Sequence, residues 1–179
     1  MPIRTHSLAR PARELSGEDA YRREMPLESG DKAPAISLRD QHGAAVKLSQ
    51  FKGQRVVLYF YPKADTPGCT TQSCALSEAL PLMKKLRAVV IGVSPDPPEK
   101  QRKFDEKYSL GFPLLADTEH TVAEAYGVWG EKVNYGRKYM GIIRSAFVID
   151  EKGKLAGVYF KVSPKDTVPK VTAALESLS

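Results

Sequence analysis

Two runs in this chain leave almost no position for a water-facing side chain: RVVLYFY at residues 55–61 and AVVIGVS at 88–94. A strand with one wet face alternates apolar and polar residues. A near-continuous run of β-branched and aromatic residues belongs to a strand covered on both faces. Two such strands, separated by a helix-length segment, commit the chain to a layered α/β architecture.

The flanking segments supply the layers. ISL and AVKL about the turn Asp40–Gly43 read as a short hairpin ending at Gly53. Pro67 to about Arg87 reads as a helix with Leu76, Leu80, Met83 and Leu86 on one face and a kink or break at Pro81. Glu99–Tyr108 reads as a charged amphipathic helix, FPLLAD as a short strand, and Asp117 or Thr118 as the cap of a helix bearing Val122, Ala123 and Tyr126. SAFVID and LAGVYF form a second hairpin, and a helix from about Thr167 closes the chain with Val171, Ala174, Leu175 and Leu178. The expectation is a three-layer α/β domain over residues 29–179 with a mixed sheet. Residues 1–28 show no sustained period and read as a flexible or loosely docked extension.

Charge and targeting narrow the function classes. The net charge is +6, yet residues 1–28 balance five arginines against five acids, and the remaining 22 basic and 16 acidic residues are dispersed. No basic run is interleaved with stacking aromatics, so nucleic acid is not the expected partner. No run approaches the roughly 18 apolar residues of a membrane span, and the N-terminus lacks the apolar core of a signal peptide. The expected compartment is the cytoplasm, where thiols stay reduced and a cysteine pair is more often catalytic than structural.

Both cysteines lie in YFYPKADTPGCTTQSC, at positions 69 and 74, where the strand gives way to the helix. Thr66 stands at the N-cap position and Pro67 at the first helical position. Cys69 therefore falls in the first turn, near unpaired amides and the positive end of the helix dipole, which favour thiolate. The plain alternative is a helix start with a small buried hydrophobe at Cys69. A zinc site would want four ligands, and the three histidines are scattered. A thioredoxin-type dithiol wants two intervening residues where CTTQSC has four.

The pattern P-x-x-x-T-x-x-C at Pro62–Cys69, with a second cysteine five residues on, resembles the peroxiredoxins, and within them the bacterioferritin-comigratory or Q-type subfamily. The resemblance runs from Gly30 to Leu178 through GDKAPAISL, VVLYFYPKADTPGCT, IGVSPDPPEK, FPLLAD, YGVWGEK and GIIRSAFVID. It implies a thioredoxin-like α/β/α sandwich with a mixed central sheet and an N-terminal β-hairpin. It also implies a thiol-dependent peroxidase acting on hydrogen peroxide and organic hydroperoxides, without metal or organic cofactor. Cys69 matches the peroxidatic and Cys74 the resolving cysteine, their disulfide being recycled by thioredoxin or a similar dithiol. Pro62 and Thr66 match the positions that shield and hydrogen-bond the reacting sulfur, and Arg144 the active-site arginine. A monomer is expected, since both cysteines lie in one segment. Two departures stand out: Gln72 replaces the usual Glu, removing a charge that could orient Arg144, and Ala146 replaces a hydroxyl residue. The rival readings are a protein thiol–disulfide oxidoreductase, disfavoured by Arg144 and the cysteine spacing, and a redox-controlled binding protein using the basic surface.

Overall fold

The computed structural model describes residues 26–179; residues 1–25 of the expected extension lie outside them. A seven-stranded sheet in the order β2-β1-β5-β4-β3-β8-β9 forms the centre. Its strands are β1 (Ser37–Arg39), β2 (Ala45–Lys47), β3 (Arg55–Phe60), β4 (Ala88–Ser94), β5 (Leu114–Ala116), β8 (Ser145–Ile149) and β9 (Leu155–Tyr159). Among the described residues five α-helices accompany them: α1 (Pro67–Glu78), α2 (Leu80–Lys85), α3 (Pro98–Tyr108), α4 (Thr121–Ala125) and α5 (Thr167–Ser177). The two apolar runs pair in parallel as β3 and β4, while β8 pairs antiparallel to β3, so the sheet is mixed.

The period of two along β3 divides the core. Val57, Tyr59 and Tyr61 face one side with Leu76, Met83, Phe104, Val171 and Leu175 of α1, α2, α3 and α5. Val56, Leu58 and Phe60 face the other with Val122, Ala123 and Tyr126 of and beside α4, and with Ile36 and Val46 of the N-terminal hairpin. Every residue of β3 is buried, as its sequence requires. Even Arg55, only 6% exposed, is accommodated: it donates to Glu151 and to the carbonyls of Leu86, Leu175 and Leu178, so one guanidinium closes the C-terminal end of α5.

Three local readings change. The expected helix from Pro67 to Arg87 is two helices, because Ala79 ends α1 and Pro81 lacks the N–H that would continue it. The helix after β5 begins later than its cap suggested: Asp117 still serves, its carboxylate accepting the amides of Val122 and Ala123, but from behind a turn in which His120 is left-handed. Residues 129–142, whose sequence shows no strand or helix period, form an antiparallel hairpin, β6 (Trp129–Asn134) and β7 (Arg137–Ile142), separate from the main sheet. Its side chains are mostly exposed, so the hydrophobic alternation that signals a strand is absent.

Candidate active site

Strand β3 ends at Phe60 and the chain crosses to α1 through residues 61–66. This loop is fastened at several points. The Asp96 carboxylate accepts the Ala64 amide at 2.8 Å and the Ser94 hydroxyl at 2.7 Å. Gln101 donates to Ser94 Oγ and accepts from the Tyr61 hydroxyl. Asp65, left-handed at φ 58°, accepts from Lys107 at 2.9 Å and from the Tyr108 hydroxyl at 2.7 Å. Aspartate tolerates that conformation better than most residues. Those two donors hold its carboxyl below the usual range, Tyr108 contributing most.

The first intrahelical bond of α1 runs from the Thr70 amide to the Thr66 carbonyl. The amides of Gly68 and Cys69 precede it and are left without helical partners at the positive end of the helix. Cys69 is 1% exposed. The Arg144 guanidinium, arriving from the link between β7 and β8, puts Nη2 3.3 Å from Cys69 Sγ. Its Nη1 donates to Gln72 Oε1 at 2.7 Å, and Gln72 Nε2 donates to Thr167 Oγ1 at 2.9 Å. Thr167 in turn donates to the Ser163 carbonyl. Gln72 is therefore the residue that holds Arg144, through a neutral carbonyl oxygen that leaves the guanidinium charge uncancelled. One turn further on, the buried Tyr59 and Ser73 hydroxyls are 2.7 Å apart. Burial keeps the Tyr59 phenol protonated far above its ordinary range.

Residues 29–158 match the AhpC/TSA family. The chain belongs to that family. It is 50% identical over 155 residues to peroxiredoxin Bcp of Bacillus subtilis, covering 87% of this chain and 99% of that one. Its fold superposes on peroxidoxin BcpB of Mycobacterium tuberculosis with TM-score 0.77 at 35% identity, over 86% and 99% of the two chains. It also superposes on the bacterioferritin comigratory protein of Xanthomonas campestris, a structure described for alkyl peroxide reduction, with TM-score 0.76 at 33% identity over 80% and 91%. The protein is a thiol-dependent peroxidase of the peroxiredoxin type with a thioredoxin-like fold.

The residues singled out from the resemblance to the peroxiredoxins lie as follows. Cys69 and Arg144 meet directly. Cys74 lies on the same helix, half-buried, its thiol pushed up by burial and then by Glu78. Pro62, half-buried, directly follows Tyr61 in the fastened loop. Thr66 occupies the N-cap by its backbone, but its hydroxyl caps nothing: it donates to the Lys63 carbonyl at 2.7 Å. Ala146 lies opposite Tyr59 in the sheet, where a larger side chain would meet a filled core. Thr167, Ser73 and Asp96 carry no sequence signal as members of the constellation, because each acts through a contact with a distant segment.

Among the described residues no His, Cys, Asp and Glu side chains gather into a metal-binding group, and no helix is long and apolar enough to cross a membrane. A cavity of about 710 Å³ lies at the other end of β3, between Lys32–Ser37, Lys47–Lys52 and Asp150–Gly153, and is lined by none of Pro62, Thr66, Cys69, Gln72, Cys74 and Arg144.

Proposed function

We propose that Cys69 is the sulfur that attacks peroxide and Cys74 the thiol that resolves it, in a monomeric cytoplasmic enzyme whose reductant is thioredoxin. The observation that carries the reading is the guanidinium of Arg144, 3.3 Å from a buried sulfur at the amino end of a helix. The Cys69 thiolate attacks one peroxide oxygen, the O–O bond breaks, and the far oxygen leaves as hydroxide or alkoxide and takes up a proton. Cys69 is then a sulfenic acid.

Thiolate population alone is a small lever. Lowering a thiol from about 8.5 to about 6 raises its thiolate fraction at neutral pH roughly thirtyfold, about 2 kcal/mol, and weakens the nucleophile. The larger contribution comes from donors already aimed at the departing oxygen. Arg144, the amides at the start of α1 and the Thr66 hydroxyl, once turned from Lys63, supply these donors, and Pro62 keeps water off the sulfur. The Cys74 thiol then attacks the sulfenic sulfur, releasing water and leaving a disulfide, which an external dithiol reduces while becoming a disulfide itself. Substrates are hydrogen peroxide and organic hydroperoxides, the latter supported by the Xanthomonas relative. Residues 29–179 form the peroxidase domain and residues 1–28 an extension to it.

The test is peroxide consumption with thioredoxin, thioredoxin reductase and NADPH. Wild-type protein turns over, Cys69→Ser is silent, and Cys74→Ser consumes about one equivalent before stalling as sulfenic acid. Full turnover by Cys69→Ser sinks the assignment.

A further inference from the structure

From Glu131 to Met140 every residue is exposed but one, and that one is a lysine. Val133 is 65% and Tyr135 98% exposed, whereas Lys132 is half-buried. Lysines on a protruding hairpin ordinarily extend their ammonium into water. Lys132 does the reverse. Its Nζ donates to the Ile142 carbonyl at 2.9 Å, two residues before Arg144. The stem takes this path across Gly141, where an added Cβ would lie 3.2 Å from Lys132 Cδ. Gly141 is the diagonal neighbour of Lys132 across the hairpin, since Lys132 pairs with Tyr139. The other charges of this hairpin face away: Lys138 pairs with Glu131 at 3.6 Å, both well exposed.

We propose that Lys132 is a further positioning residue of the peroxide reaction, a second cation that the β6–β7 hairpin sets beside Arg144 so that its charge favours the attacking Cys69 thiolate and the anion leaving the peroxide. The proposal rests on Cys69 being the attacking sulfur. Burial and the Arg144 charge push the Lys132 ammonium toward losing its proton, and Cys69 opposes them. Attraction between charges is mutual, so a cation held here acts on negative charge that develops at the sulfur or on the departing oxygen. The geometry also accounts for the outer part of the hairpin: residues 131–140 add little to the core, yet the one among them that is not exposed bonds the Ile142 carbonyl, where the link carrying Arg144 begins.

The test is stopped-flow oxidation by hydrogen peroxide across pH, read by Trp129, the sole tryptophan of the chain, which stacks on His120 in the same strand as Lys132. Lys132→Met is expected to lower the high-pH plateau about tenfold, less than the loss of a directly contacting donor, and to move the acid limb of the profile upward. Lys132→Arg keeps the charge while fitting worse over Gly141, and should stay within about threefold of wild type. Thermal melting of each variant shows that it is folded, and Lys132→Gln replaces the Met variant if that one is not. A plateau and limb unchanged in Lys132→Met overturn the proposal. So does an Arg variant as slow as Met, because shape rather than charge would then be the cause. Cys69→Ser is run alongside. A reaction persisting there overturns the reading of Cys69 and this proposal with it, whereas a silent Cys69→Ser beside an unchanged Lys132→Met overturns this proposal alone.

Discussion

Gly68 shows how finely the Cys69 sulfur and the Arg144 guanidinium are fitted. Its backbone is ordinary helix, so conformational freedom does not explain a glycine there. Space does: an added Cβ would lie 3.1 Å from Arg144 Nη2 and 3.5 Å from Pro164 Cγ. The helix forgoes roughly 0.5–1 kcal/mol relative to alanine to let the guanidinium lie against its first turn. Gly68→Ala should therefore leave the melting temperature unchanged or slightly higher, while displacement of the guanidinium slows oxidation by about tenfold. Stopped-flow rates and melting curves on the same preparation check this. A loss of stability with an unchanged rate would make Gly68 a packing residue only. Gln72 carries a related lesson. In the sequence it looks like a missing charge; in the structure it is a neutral acceptor that orients Arg144 without quenching it. Residue identity was legible, but the direction of its effect depended on a contact 72 positions away.

Among the elements, α1 carries both cysteines of the proposed cycle. It is helical through both cysteines, Pro67–Glu78. Residues five apart on a helix point about 140° apart with Cα atoms roughly 9 Å distant, beyond the ~7 Å limit for a disulfide. The bond forms only if the first turns unwind. Unwinding breaks Gln72–Arg144, Gln72–Thr167 and Tyr59–Ser73, and the buried Tyr59 hydroxyl left behind costs about 1–3 kcal/mol. Hydrogen exchange on reduced and oxidised protein should show protection of Thr70–Leu76 lost on oxidation; equal protection would refute the unwinding. The loop before α1 gives a second prediction. Asp65 is depressed in the folded state, so its contribution is present above its unfolded value of about 4 and lost as pH falls through the lower folded value. Asp65→Asn should remove that acid dependence, seen as a flatter melting temperature between about pH 2 and pH 5. An unchanged slope would assign the dependence to other carboxylates.

At the scale of the whole molecule, Arg55 ties three distant parts together: the start of β3, the turn at Glu151 and the last turn of α5. Replacing it by methionine leaves buried carbonyls without a donor at the end opposite Cys69. Arg55→Met should cost about 2–3 kcal/mol of stability while leaving the oxidation rate of the folded protein unchanged. Urea titration and stopped-flow kinetics measure the two effects separately. A slowed reaction at full foldedness would show that strain travels along β3 to the site. At the N-terminus, Leu27 already packs on the core and Ser29 and Gly30 bond to the β9 segment, so the folded part begins slightly before the first family block.

The layers were legible in the order of residues, because an apolar run such as VVLYFY is satisfied by cover on both faces, and a Thr-Pro start opens a helix with its first amides free. That order also placed Cys69 in that opening turn and, through the family pattern, named Arg144. Local chemistry and spacing suffice for such features. The contacts between separate segments came into view with the folded chain alone: Gln72 holding Arg144, Asp96 fastening Ala64, Lys132 folded back onto Ile142, and the hairpin that carries it. None of these leaves a periodic trace, since each depends on where one side chain ends in space and not on how its neighbours repeat.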